Sequence, residues 1–148
     1  MLGIEFVSRL PRHKRTALEQ LLFFNGCQQR IARDIVDVID KYGPPEIHDD
    51  GEGLRVRVTS QPGVQSLFAV DTQTGRPIGV AVYVRADLEH VTVLHMGVSE
   101  DYCTGGMNEA VSLPLRLLRE VRSSSRDTDG VRRLKVAYCA QRARSSAL

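Results

Sequence analysis

The chain has 148 residues, of which 42% are hydrophobic and 26% charged, with a formal net charge of +2. That is enough for one domain (residues 1–148) with its own core, and ordinary for a globular chain rather than a disordered or fibrous one. No apolar run reaches the 18 or more residues of a membrane span. At the N-terminus, MLGIEFVSRLPRHKR places apolar residues ahead of basic ones, the wrong order for a secretory signal, so a cytoplasmic protein is expected. Cys27, Cys103 and Cys139 are odd in number and lack CxxC spacing, which argues against a disulfide framework or a zinc site. The charge is uneven. Residues 1–113 hold 11 Lys/Arg against 15 Asp/Glu, whereas residues 114–148 hold 9 against 3. A basic C-terminal quarter suits nucleic acid, acidic lipid or a phosphorylated cofactor, or else is a solvated arginine-rich helix face.

In chain order, Leu2 to Val7 is β-prone and Pro11 ends it. His13 to Phe24 reads as a helix with Leu18, Leu21 and Leu22 on one face, stopped by Asn25-Gly26. Cys27 to Tyr42 is a second helix, with Ile31, Ile35, Val38 and Tyr42 in one stripe, closed by Gly43-Pro44-Pro45. Glu46 to Gly53 is an acidic, glycine-containing loop. Its His48, Asp49, Asp50 and Glu52 lack the ordered alternation of a calcium loop, so a solvated turn and no metal are expected.

From Leu54 the period changes to two. LRVRVT, QSLFAVD, IGVAVYVR and HVTVLHMGV are four strands separated by turn formers, and those from Gln65 to Val98 form an antiparallel meander. Ser99 to Gly106 is a loop. A helix follows from about Met107, with Met107, Val111, Leu115, Leu118 and Val121 as its stripe; Pro114 either kinks it or marks a later start. Ser123 to Gly130 is a polar linker. Arg132 to Cys139 is a last strand, and a strand–helix–strand connection of that length predicts a parallel crossover. The fold class is α/β (α+β), a mixed sheet with one parallel crossover.

This order resembles the GNAT superfamily, the acyl-CoA-dependent N-acyltransferases. LFAVDTQTGRPIGVAVYV looks like that family's second and third strands. VLHMGVSEDYCTGGMNEAVSLPLRLLREV is similar to its fourth strand, phosphate loop and third helix, and LKVAYCAQRAR to its fifth strand. The resemblance implies acyl transfer, with acetyl-CoA or another acyl-CoA as donor and a small-molecule or peptide amine as acceptor. The family's loop pattern, Gln/Arg-x-x-Gly-x-Gly/Ala, falls on residues 103–108. Gly106 matches, whereas Cys103 and Asn108 depart from it. The implied cofactor contacts are Met96, Gly97 and Val98 on the strand and the backbone amides of Thr104, Gly105, Gly106, Met107 and Asn108, where a glycine loop at a helix start presents N–H groups to a pyrophosphate.

For chemistry, His95 is a candidate base acting through a water, or a strand histidine hydrogen-bonded within the core. His90 reads as a turn residue, and Arg132, Arg133 and Lys135 either meet a cofactor phosphate or end a strand. Tyr138 is a candidate acid toward the thiolate, or a packing tyrosine; no tyrosine follows it. Glu100 and Asp101 are expected to cap the following helix. Cys103 at a helix start is a less favoured nucleophile. An open sheet edge near residue 138 would favour a homodimer by strand addition. The alternative is a non-catalytic binding or assembly module of the same fold. Nucleic-acid binding is not expected, because the basic quarter carries Tyr138 as its lone aromatic.

Overall fold

The computed structural model describes residues 3–23, 39–58, 61, 63–85, 90–102, 112–126 and 133–136. Among the described residues, seven strands and two helices carry the fold: β1 (Ile4–Val7), α1 (Arg15–Phe23), β2 (Pro45–Asp49), β3 (Leu54–Val58), β4 (Gln65–Asp71), β5 (Pro77–Arg85), β6 (His90–Val98), α2 (Leu113–Arg126) and β7 (Arg133–Val136). A short 3-10 turn, Arg12–Lys14, leads into α1. Residues 39–42 are helical, consistent with the end of the predicted second helix; residues 24–38 lie outside the described set.

Five strands form one sheet in the order β1-β4-β5-β6-β7. β1, β4, β5 and β6 are mutually antiparallel neighbours, so the predicted meander stands. β6 and β7 pair in parallel, with α2 between them in the chain. This is the mixed α+β sheet expected from the element order.

Two apolar layers sandwich the sheet. On one face Leu18, Leu21 and Leu22 of α1 meet Phe68, Val80, Val82 and Leu94. On the other, Leu113, Leu117 and Val121 of α2 meet Ala69, Ala81, Met96 and Val98. β5 and β6 are therefore buried on both sides, which is why their sequences run almost continuously apolar. Gly79 lets α2 close onto β5: a Cβ there would stand 2.9 Å from Leu117 Cδ1. Among the described residues no helix is long and apolar enough to cross a membrane.

Three expectations need correction. The segment Glu46–Gly53 is not all loop: Pro45–Asp49 is a strand paired with β3, and only the turn beyond it is irregular. Cross-strand charge pairing supplies what local strand propensity lacks, with Arg57 Nε 3.4 Å from Glu46 Oε2. At the turn, arginines take the carboxylates: Arg12 meets Asp49 at 2.6 Å and Arg9 meets Asp50 at 2.7 Å. No metal-holding group of His, Cys, Asp or Glu occurs among the described residues.

The second correction concerns α2. Ser112 has φ 56°, outside the right-handed helical region, so the helix starts at Leu113 rather than near Met107. Pro114 then sits in the first turn, where its missing N–H is harmless. The buried stripe is Leu113, Leu117 and Val121, while Leu115 is 57% exposed. Third, α2 continues to Arg126, so Ser123–Arg126 is helix and not linker. His90 opens β6, where the strand reading placed its start, and pairs with Arg133.

Candidate functional site

The candidate site is built on β6. Along its β5 side this strand is paired from Val91 to Val98. Along its other side the parallel register runs from His90↔Arg133 to Val93↔Val136. No described strand continues beside Leu94–Val98 on that edge.

A bulge follows the last described β7 pair. In β5, Val82 faces His95 and Tyr83 faces Val93, so Leu94 is one residue too many on β6. Val93 lies on the α2 face, Leu94 packs into the α1 core, and Met96 is again on the α2 face. His95, opposite the α1-facing Val82, therefore shares its side with Leu94.

Beyond the bulge the backbone is directed by its pairing. The Ser99 amide donates to the Ile78 carbonyl at 2.8 Å. Amides alternate in direction along a strand, so that of Gly97 also points to β5. Those of Met96 and Val98 point to the opposite side of the strand. Gly97 acts through packing instead. A Cβ there would stand 2.7 Å from the Leu21 carbonyl oxygen, so its lack of a side chain seats α1 on the strand.

His95 is 1% exposed. It donates a hydrogen bond to the backbone of Gly43, just after the 39–42 helical turn, and burial pushes its imidazole down to about 4 despite that bond. Its Nε2 is buried as well. The imidazole is neutral at pH 7, the state able to accept a proton, but it is a weak base.

After β6 the chain makes a 3-10 turn, Glu100–Tyr102. Asp101 is held by groups outside α2. Arg76, from the β4–β5 turn, donates to it at 2.9 Å, and the Ser99 hydroxyl donates to its other oxygen. Burial opposes ionisation of this carboxyl, yet the Ser99 and Arg76 hydrogen bonds outweigh it and hold the group below its usual range. The acid next to the glycine loop is thus charge-compensated. Tyr102, which the sequence did not single out, is 1% exposed and packs in the α2-side core. Burial, with the Asp71 and Asp101 charges, raises its hydroxyl. The sequence signal for this cluster was confined to the Thr-Gly-Arg-Pro turn, which carries Arg76, because the paired residues lie 25 positions apart.

Thr104, Gly105, Gly106, Met107 and Asn108 lie outside the described residues, as do Tyr138 and the three cysteines. Arg133–Val136 is described as a strand.

No protein-family model matches the sequence, and no curated protein matches it. Among solved structures, an acetyltransferase from Trypanosoma brucei is similar with a TM-score of 0.47 and 14% identity, over 90% of this chain and 82% of that one. An acetyltransferase from Streptococcus agalactiae 2603 is similar with a TM-score of 0.46 and 14% identity, over 90% of this chain and 72% of that one.

Proposed function

We propose that the chain is an acyl-CoA-dependent N-acyltransferase that transfers an acyl group, acetyl in the simplest case, to an amine. The observation that carries this reading is the bulged central strand β6. Among the described residues its parallel partner is paired as far as Val93, the Leu94 bulge follows, and the next amide directed to that side belongs to Met96. A strand amide so directed suits an extended, amide-containing ligand held by main-chain hydrogen bonding. The charge compensation of Asp101 by Arg76 suits a polyanionic group at the neighbouring loop.

Coenzyme A, when bound, supplies the acyl group as a thioester. The Met96 amide then orients that ligand along the strand, and an amide aimed at a carbonyl oxygen stabilises charge developing on it. Neutral His95 takes a proton from the acceptor ammonium through a water, at a cost set by its low basicity. Thr104–Asn108 hold the pyrophosphate, and Tyr138 protonates the departing thiolate. A homodimer formed along the β7 edge belongs to the same reading.

The test is thermal unfolding of the full chain with acetyl-CoA and with CoA, followed by turnover against a panel of amines. A rise in Tm with either ligand is expected, since a ligand that binds only the folded state stabilises it by mass action. Absence of any rise removes the reading.

A second reading, a non-catalytic binding or assembly module, is favoured by the burial and low basicity of His95 and by Cys103 and Asn108 in the loop. Turnover with any acyl-CoA and amine excludes it.

A further inference from the structure

The β2–β3 ribbon has two faces, and only one is used by the core. Ile47, Val56 and Val58 turn toward α1, so strand alternation places Glu46, His48, Arg55 and Arg57 together on the other side. The register sets Arg57 opposite Glu46 and Arg55 opposite His48. The first pair is complementary, at 3.4 Å. The second is not: a guanidinium faces an imidazole, and no acid stands across from it. Arg55 Nη2 donates to the Val64 carbonyl at 3.4 Å. Among the described residues the carboxylate within reach of Arg55 is Asp50, 4.0 Å from Nη1, and Arg9 already holds that carboxylate at 2.7 Å.

Gln61 and Val64 border this face and, with Glu46, His48, Arg55, Arg57 and the edges of Val56 and Val58, line a partly open cavity of 530 Å³. A cavity of that size matches small-molecule sites and far exceeds what one inorganic ion or water fills. Its walls carry two guanidiniums and one imidazole against a single carboxylate. Guanidinium forks recognise planar or tetrahedral oxyanions bidentately.

We propose that this cavity binds a small organic oxyanion, a carboxylate or phosphate, with Arg55 as its main counter-charge and Arg57, His48 and Gln61 as further donors. Glu46 holds Arg57 in place and sets a limit on the negative charge the cavity accepts. No residue of β6 takes part, so this site stands apart from the acyl-transfer reading.

The test is thermal unfolding of the full chain at constant ionic strength with citrate, with inorganic pyrophosphate, and with chloride as reference. Citrate, pyrophosphate or both are expected to raise Tm by a few degrees over chloride. A response to citrate alone assigns a carboxylate ligand, and one to pyrophosphate alone a phosphate. In Arg55→Gln the apparent affinity falls on the order of tenfold, the loss expected for one charge-assisted hydrogen bond. Arg119→Gln, on α2, leaves it unchanged. Circular dichroism checks the fold, and His48→Gln replaces Arg55→Gln should that variant misfold. Equal Tm in all three salts overturns the proposal. So does a pyrophosphate effect that survives Arg55→Gln, a result that leaves the acyl-CoA reading untouched.

Discussion

Gly97 of β6 lies against the carbonyl oxygen of Leu21 near the end of α1, so closely that a Cβ on residue 97 would stand 2.7 Å from it. The obstacle is backbone, which cannot rotate away as a side chain would. Gly97→Ala is therefore expected to destabilise the protein by about 1–3 kcal/mol, the usual range for overpacking, as read by urea unfolding. Gly63→Ala is the control. Nothing stands within 4 Å of a Cβ there and its φ is not positive, so its stability should be unchanged or slightly raised.

The helix stripe makes a second pair of variants. Leu117 is fully buried, whereas Leu115 is 57% exposed. Leu117→Ala should cost about 2–5 kcal/mol, and Leu115→Ala should stay within about 0.5 kcal/mol of the parent. Equal losses in chemical denaturation would restore the Met107-based stripe.

His95 gives a pH dependence of defined sign. Its folded-state value is depressed to about 4 from an ordinary 6.5. Between those values the unfolded chain binds the proton and the folded chain does not. Its contribution is thus fully present above pH 6.5 and is lost as pH falls toward 4, by at most about 3 kcal/mol. Carboxylates titrate in the same range, so the measurement is a difference: stability against pH for the parent minus that for His95→Gln. The difference should shrink on acidification, and a flat difference would mean that His95 is not held neutral.

These positions show what could be read from residues alone. β6 was legible to its limits, His90 to Val98, because its apolar run is long and bounded by turn formers. β2 was not, since Glu, His and Asp disfavour strands locally and the arginines that compensate Glu46 and Asp49 lie elsewhere in the chain. Leu115 fits a helical period as well as Leu113 and Leu117 do, and only the phase of the helix start separates them; Pro114 was the cue. The Leu94 bulge leaves no trace in a strand apolar on both faces. At the site, the Arg76–Asp101 contact could not be placed in advance, since it depends on tertiary approach.

That contact supplies a fourth prediction. Arg76 and Asp101 are 49% and 33% exposed, so solvent screens them. A double-mutant cycle with Arg76→Ala and Asp101→Ala should give a coupling of no more than about 1 kcal/mol, smaller at high salt. If the pair also fixes the start of the loop at residue 103, each single variant should weaken acetyl-CoA protection in thermal unfolding more than it lowers Tm itself.

The extra residue at Leu94 inverts the usual rule for shortening a buried strand. Elsewhere in a two-sided strand, loss of one residue exchanges every following side chain between the faces. In β6, removing Leu94 would leave Val93 and Met96 facing α2, with His95 between them toward α1, in unbroken step with Tyr83, Val82 and Ala81. The strand behaves as a regular ribbon carrying one inserted residue. A shortened chain of this kind should still pair correctly with β5, which separates the ability to fold from the ability to hold a ligand.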